Sequence, residues 1–136
     1  MRPNPILLAL VLCDMTIRDI VTHKISLIGC FSNYCTTDNP PIRCKSFTIF
    51  VCLVEGIGKV KIKTIIRNLE NDEIILQNEI AEIEFNDPLI PFEFTIDVGN
   101  PIFPQFGVYA IEIYANCSIL GSRLLNVSKI TVKDKC

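Results

Sequence analysis

The chain has 136 residues, 13 basic and 15 acidic, for a net charge of −2 and a pI near 5.4. That length suits a single domain, residues 1–136, large enough to bury a core without metal or disulfides. The slightly acidic balance supplies no positive field for nucleic acid or an anionic membrane, and no apolar run approaches the roughly 18 residues of a spanning helix.

The first apolar run, Ile6 to Cys13 in "NPILLALVLCDMTIRD", has two readings. It is either a secretory leader or the first strand of the mature protein. Pro3 and Pro5 flank it, and it ends in charged Asp14 with no small-x-small cleavage site. Leu12 stands where a lipoprotein signal needs a small residue, and "MTIRD" alternates apolar and polar like a strand leaving a core. A strand is therefore expected, and with it a cytoplasmic protein with reduced thiols. Strict alternation puts Ile6, Leu8, Leu10 and Leu12 on one face and Leu7, Ala9, Val11 and Cys13 on the other. Both faces are apolar, so a second chain or a partner is expected over one of them.

"IVTHK" (Ile20 to Lys24) separates this segment from "ISLIGCF" (Ile25 to Phe31), which is expected to return antiparallel as a hairpin. "TTDNPP" is a loop, and "SFTIFVCLV" (Ser46 to Val54) is a strand with Phe47, Ile49, Val51 and Leu53 on one face. "KVKIKTIIRN" (Lys59 to Asn68) turns Val60, Ile62, Thr64 and Ile66 inward and Lys59, Lys61, Lys63 and Arg67 outward. If Glu70 to Glu73 forms the loop to "IILQNEIAEIEF" (Ile74 to Phe85), Lys59 faces Glu84, Lys61 faces Glu82, Val60 faces Ile83 and Ile62 faces Ala81. The basic stripe is then a solvated salt ladder rather than a phosphate site. "FEFTIDV" (Phe92 to Val98) directs Phe92, Phe94, Ile96 and Val98 inward. "GNPIFPQFG" connects it to a closing pair, "VYAIEIYAN" (Val108 to Asn116) and "SILGSRLLNVSKITV" (Ser118 to Val132). Seven or eight strands separated by turn signals predict an all-β antiparallel sandwich or barrel.

The chemistry-bearing residues are few and scattered. The seven cysteines, Cys13, Cys30, Cys35, Cys44, Cys52, Cys117 and Cys136, are odd in number and include no C-x-x-C pair. Most are expected to be small buried hydrophobes. His23, the one histidine, falls in a turn with no cysteine near it in sequence, so neither a zinc site nor a Cys-His nucleophile is expected. Glu82 and Glu84 share the solvent face of one strand, and Asp38, Asp72, Asp87, Asp97 and Asp134 are too dispersed for a calcium loop cluster. Two N-x-S triplets, at Asn116 and Asn126, carry little weight by themselves. In "PIFPQF", Ile102, Phe103 and Phe106 either anchor a partner or plug the end of the sandwich.

Three segments together, "LLALVLCDMTIRD", "KISLIGCF" and "FGVYAIEIYANCSILGSRLLNV", resemble a family of uncharacterised bacterial single-domain proteins defined only as a domain of unknown function. The resemblance implies an immunoglobulin-like β-sandwich of seven to eight strands that begins with the first apolar strand. It implies no catalytic residue, ligand or partner. Thr22, His23 and Lys24 replace the glycine-bearing turn usual in that pattern. The expected function is non-catalytic: a cytoplasmic binding or structural module acting through an unknown protein partner or as a homo-oligomer. No catalytic, cofactor-binding or metal residue is assigned, and neither nucleic acid nor membrane is an expected partner. The alternative is a secreted adhesin- or chaperone-type immunoglobulin-like domain with a cleaved leader.

Overall fold

β-Branched and aromatic residues recur at alternate positions through most of the chain, and strands form where they do. The computed structural model describes residues 4–130, apart from the side chain of Ala81. Arg2, Pro3, the expected strand end at Val132, Asp134 and Cys136 lie outside the described residues. The described residues contain no helix and twelve strands. These are β1 (Ile6–Cys13), β2 (Met15–Arg18), β3 (Ile25–Ile28), β4 (Asn33–Thr36), β5 (Ile42–Arg43) and β6 (Phe47–Val54). They continue with β7 (Gly58–Asn68), β8 (Ile74–Phe85), β9 (Phe92–Val98), β10 (Ile102–Phe103), β11 (Gly107–Ala115) and β12 (Ser118–Lys129). The all-β expectation holds, but seven to eight strands was too few. The excess comes from short strands of two to four residues, too brief to show a period of their own.

Two larger sheets carry the core. One has the order β1-β6-β9; the other has the order β4-β12-β11-β7-β8, antiparallel except where β4 runs parallel to β12. Phe47, Ile49, Val51 and Leu53 of β6 pair with Val98, Ile96, Phe94 and Phe92 of β9, so both expected inward faces are correct. Val60, Ile62 and Ile66 of β7, with Tyr109, Ile111 and Ile113 of β11, belong to the same buried cluster. Leu125 and Val127 of β12 complete it. Its central members, Ile49, Leu53, Ile66 and Ile111, have no exposed surface. Each such side chain contributes roughly 1.5–3 kcal/mol through removal from water.

Bulges change two expected registers. In β1 the pairing with β6 shifts between Leu7 and Ala9, so one extra residue breaks the alternation. Leu7, Leu10 and Leu12 therefore pack on the core cluster, whereas Ile6 and Leu8 are 49% and 61% exposed. The assignment of Ile6 and Leu8 to the same face as Leu10 and Leu12 is corrected accordingly. In the β7–β8 hairpin, Lys59 faces Glu84 and Val60 faces Ile83 as expected. A bulge after Val60 then sets Ile62 against Ile80 instead of Ala81 and removes Lys61 from the expected pairing with Glu82. A second irregularity follows Ile66.

The edges of the two core sheets are closed by specific contacts. Arg123 on β12 donates from Nη1 to the Leu10 carbonyl (2.9 Å) and from Nη2 to Ser32 Oγ (3.1 Å), tying β12 to β1. At one end the β5–β10 pair buries Ile42 and Phe103, and Phe103 meets Tyr109 edge-on with ring centroids 4.7 Å apart. "PIFPQF" thus places Phe103 as a plug and leaves Ile102 half exposed. The β11–β12 turn runs through Asn116 and Cys117 at φ 47° and 71°, the left-handed pair that a two-residue hairpin turn requires.

Candidate functional site

The expected antiparallel return after the first strand is present: Met15 faces Ile28, Thr16 faces Leu27, Ile17 faces Ser26 and Arg18 faces Ile25. β2 and β3 hydrogen-bond with each other in a sheet of their own, apart from the two core sheets. A lone two-stranded hairpin is of marginal stability in water, so its order depends on its turn and its root.

Asp19 organises the turn. Its Oδ1 accepts the backbone N–H of Val21 (2.8 Å) and of Thr22 (2.7 Å), and its carbonyl accepts that of His23 (3.0 Å). The Thr22 and Val21 amides, with help from the Thr22 hydroxyl, hold this carboxyl below its ordinary pKa. Arg18 Nη1 donates to the His23 carbonyl (3.0 Å), and His23 takes a left-handed φ of 60° in place of the glycine such a turn usually uses. His23 is exposed at this tip, at the opposite end of the hairpin from Cys30. The tip thereby holds Ile20 and Val21 in water at 91% and 84% exposure, and Met15, Ile17 and Ile28 are each exposed along one face of the arm.

A cavity of about 370 Å³ lies at the root of the arm, with Asp14, Cys30, Tyr34, Cys44, Lys45 and Phe47 among its walls. Gly29 is left-handed (φ 70°), and any side chain there would collide with the Asp14 carboxylate. Cys44 is buried, and burial pushes its thiol up to about 11. Burial likewise raises Tyr34. Cys13, fully buried, is raised by burial first, then by Cys30 and Asp14, and its thiol donates to the Thr48 carbonyl at 3.6 Å. Cys52 is also buried and raised, by burial and then by Glu93.

The thiols divide more evenly than the sequence suggested. Cys13, Cys44 and Cys52 are buried free thiols, whereas Cys30 and Cys117 are exposed ones. Cys35 is disulfide-bonded, contrary to the expectation that the thiols are all reduced. Sequence reasoning did not bring Cys13 and Cys30 together. The strand pairing itself ends at Met15 and Ile28, and beyond it Phe31 N–H bonds the Leu12 carbonyl and Asp14 N–H the Gly29 carbonyl, on either side of Cys13 and Cys30.

The basic stripe on β7 is interleaved with acid. Lys59 and Lys63 face Glu84 and Glu79 across the hairpin. Arg67 Nε meets Glu112 Oε1 at 3.2 Å, Tyr114 donates its hydroxyl to the same oxygen (3.1 Å), and Lys63 Nζ lies 5.1 Å from the Tyr114 ring centre. Among the described residues, the ion pair within 4.0 Å is that of Arg67 and Glu112. A second cavity, of about 240 Å³, mixes Lys61 and Lys63 with Glu79, Glu82 and Cys117. The described residues gather no group of three His, Cys, Asp or Glu side chains that could hold a metal ion.

No curated protein matches the chain. A family model described as a family of unknown function (DUF6941) matches residues 8–128, from within β1 almost to the end of β12. That span takes in both core sheets, the β2–β3 arm and the cavity at its root. The chain belongs to the family of unknown function DUF6941.

Proposed function

We propose that this protein is an immunoglobulin-like binding module of the cytoplasm, acting without catalysis through contacts with a protein partner or a second copy of itself. The immunoglobulin-like assignment is supported by strand order: β1-β6-β9 against β12-β11-β7-β8 follows the A-B-E and G-F-C-C′ arrangement of such sandwiches. The parallel addition of β4 beside β12 occupies the place of an A′ strand. Tyr109, near the start of β11, donates its hydroxyl to the Gln105 carbonyl at 2.7 Å, in the manner of the tyrosine corner of these domains.

The observation that carries the binding reading is the β2–β3 arm, where Asp19 fixes a turn that presents Ile20 and Val21 to solvent. An ordered apolar tip of this kind is a contact element, since holding two branched aliphatic side chains in water serves no purpose within the monomer. Photo-crosslinking in the native cell tests it. A crosslinking side chain in place of Ile20 is expected to give a discrete protein adduct, or a dimer of this chain, that the same group at exposed Asn71 does not give. Identical adduct patterns from the two positions would overturn the reading.

A second reading has one observation in its favour. The disulfide at Cys35 is the bonding state of an oxidising compartment and supports the secreted adhesin- or chaperone-type alternative. The five free thiols among the described residues support the cytoplasm instead. Intact mass of the protein from its native cell, with thiols alkylated before and after reduction, separates the two. A chain that retains Ile6 to Cys13 and keeps the described free thiols reduced is expected; loss of that segment would establish the secreted form.

A further inference from the structure

We propose that Cys13 and Cys30 form a redox-active dithiol at the root of the β2–β3 arm, oxidised to a cross-strand disulfide by a low-molecular-weight disulfide of the glutathione class. The geometry comes from the backbone. Phe31 N–H donates to the Leu12 carbonyl (3.0 Å), and Asp14 N–H is shared between the carbonyls of Ile28 (2.9 Å) and Gly29 (3.2 Å). The bonds from Phe31 to Leu12 and from Asp14 to Gly29 are the two that bracket a non-hydrogen-bonded antiparallel pair, and the residues between them are Cys13 and Cys30. The regular pairing of the hairpin ends at Met15 and Ile28; the divided Asp14 bond and left-handed Gly29 shift the hydrogen-bond phase before Cys13 and Cys30 are reached. Opposed residues in such a pair project to the same side with Cα atoms about 4.5 Å apart, at the short end of the roughly 4.4–6.8 Å that a disulfide spans. A bridge formed there is compressed and hence readily reduced, which suits a reversible switch.

The two thiols differ in access, and that sets their order of reaction. Cys30 is exposed and lines the cavity of about 370 Å³, where Lys45 offers a cation to a carboxylate-bearing thiol compound. Cys13 has no exposed surface. Cys44 lines the same cavity but is buried, so exposed Cys30 is the thiol that a reagent entering from solvent meets first. Cys30 loses its proton and attacks one sulfur of the small disulfide. A Cys30–sulfur bond forms, the S–S bond of the reagent breaks, and the first small thiol departs with that proton. Cys13 then attacks Cys30 Sγ, releasing the second small thiol, which takes the Cys13 proton. The protein dithiol is oxidised by two electrons and the reagent is reduced to two thiols. Cys13 gives up its hydrogen bond to Thr48, and the whole arm becomes a closed ring. None of this depends on the arm being a contact surface.

The test is peptide mapping of the full chain after exposure to oxidised glutathione and alkylation of the remaining thiols. A linked Cys13–Cys30 peptide is the expected product, whereas exposed Cys117 should carry only a glutathione adduct. Cys13→Ala is expected to stop at the Cys30 adduct, and Cys30→Ser to slow oxidation of Cys13 by about tenfold or more. The proposal is overturned if wild-type Cys30 retains glutathione while Cys13 is alkylated. It is equally overturned if Cys13 oxidises at an unchanged rate without Cys30. Should Cys13→Ala fail to fold, the wild-type map decides the question alone.

Discussion

Replacing Tyr109 by Ala is expected to destabilise the protein by about 3–5 kcal/mol. Replacement by Phe should cost about 1–3 kcal/mol, and urea denaturation of both variants separates the ring from the hydroxyl. The ring is fully buried among core residues and meets Phe103 at a centroid distance of 4.7 Å, so its loss leaves a cavity beneath the β5–β10 clip. The hydroxyl donates to the Gln105 carbonyl at 2.7 Å, just before β11 begins. Burial pushes this phenol above its ordinary pKa, opposed by the Gln105 bond, so the neutral donor form is the one that holds the corner. Phe keeps the ring but takes the donor from that carbonyl, and loss of this part-buried bond bears the cost. If Tyr109→Phe proves as stable as the wild type, the corner bond contributes nothing and one support of the immunoglobulin-like assignment is lost.

The long strands were legible because each spans enough residues to display a period of two. β8 was bounded correctly at Ile74 and Phe85, and the inward faces of β6, β7 and β9 were read from alternation alone. The same rule failed at Leu8 and opposite Lys61, where an extra residue in one strand shifts all that follows. Nothing in "ILLALVLC" marks the bulge, because every residue in it is apolar and either phase fits. β4, β5 and β10 went unseen for another reason: two to four residues carry no periodic signal, and their order is imposed by β12 and by each other. The arm was expected as a hairpin with Ile20 to Lys24 as its turn, but the order of that turn was not legible. Asp19 caps that turn through the Val21 and Thr22 amides and holds Ile20 and Val21 outward, which no spacing in the sequence announces. The approach of Cys13 to Cys30 was not legible, because the hydrogen-bond phase changes at Asp14 and the left-handed Gly29, just past the expected pairing.

Gly56→Ala should destabilise the fold by about 1–3 kcal/mol, although alanine is the smallest possible addition and the backbone there is not left-handed. Gly56 lies in the connection that carries the chain from β6 in one sheet to β7 in the other, and the Phe85 ring rests flat against it. A Cβ at this position would overlap three atoms of that ring. The ring has little room to retreat, since Phe85 is buried, Phe92 stands 5.7 Å away and Phe94 stands 6.0 Å beyond Phe92. The three aromatics form a row at this end of the core, as Phe103 and Tyr109 pair at the other. Gly99→Ala is the matched control, because a Cβ there meets no atom within 4 Å, and a change within about 0.5 kcal/mol is expected. Combining Gly56→Ala with Phe85→Leu tests the contact itself. Trimming the ring makes space for the methyl, so the double variant should be more stable than the sum of the single losses predicts. Strict additivity would mean that the ring and the glycine do not touch in solution, and this end of the core would then have to be held by Phe92 and Phe94 alone.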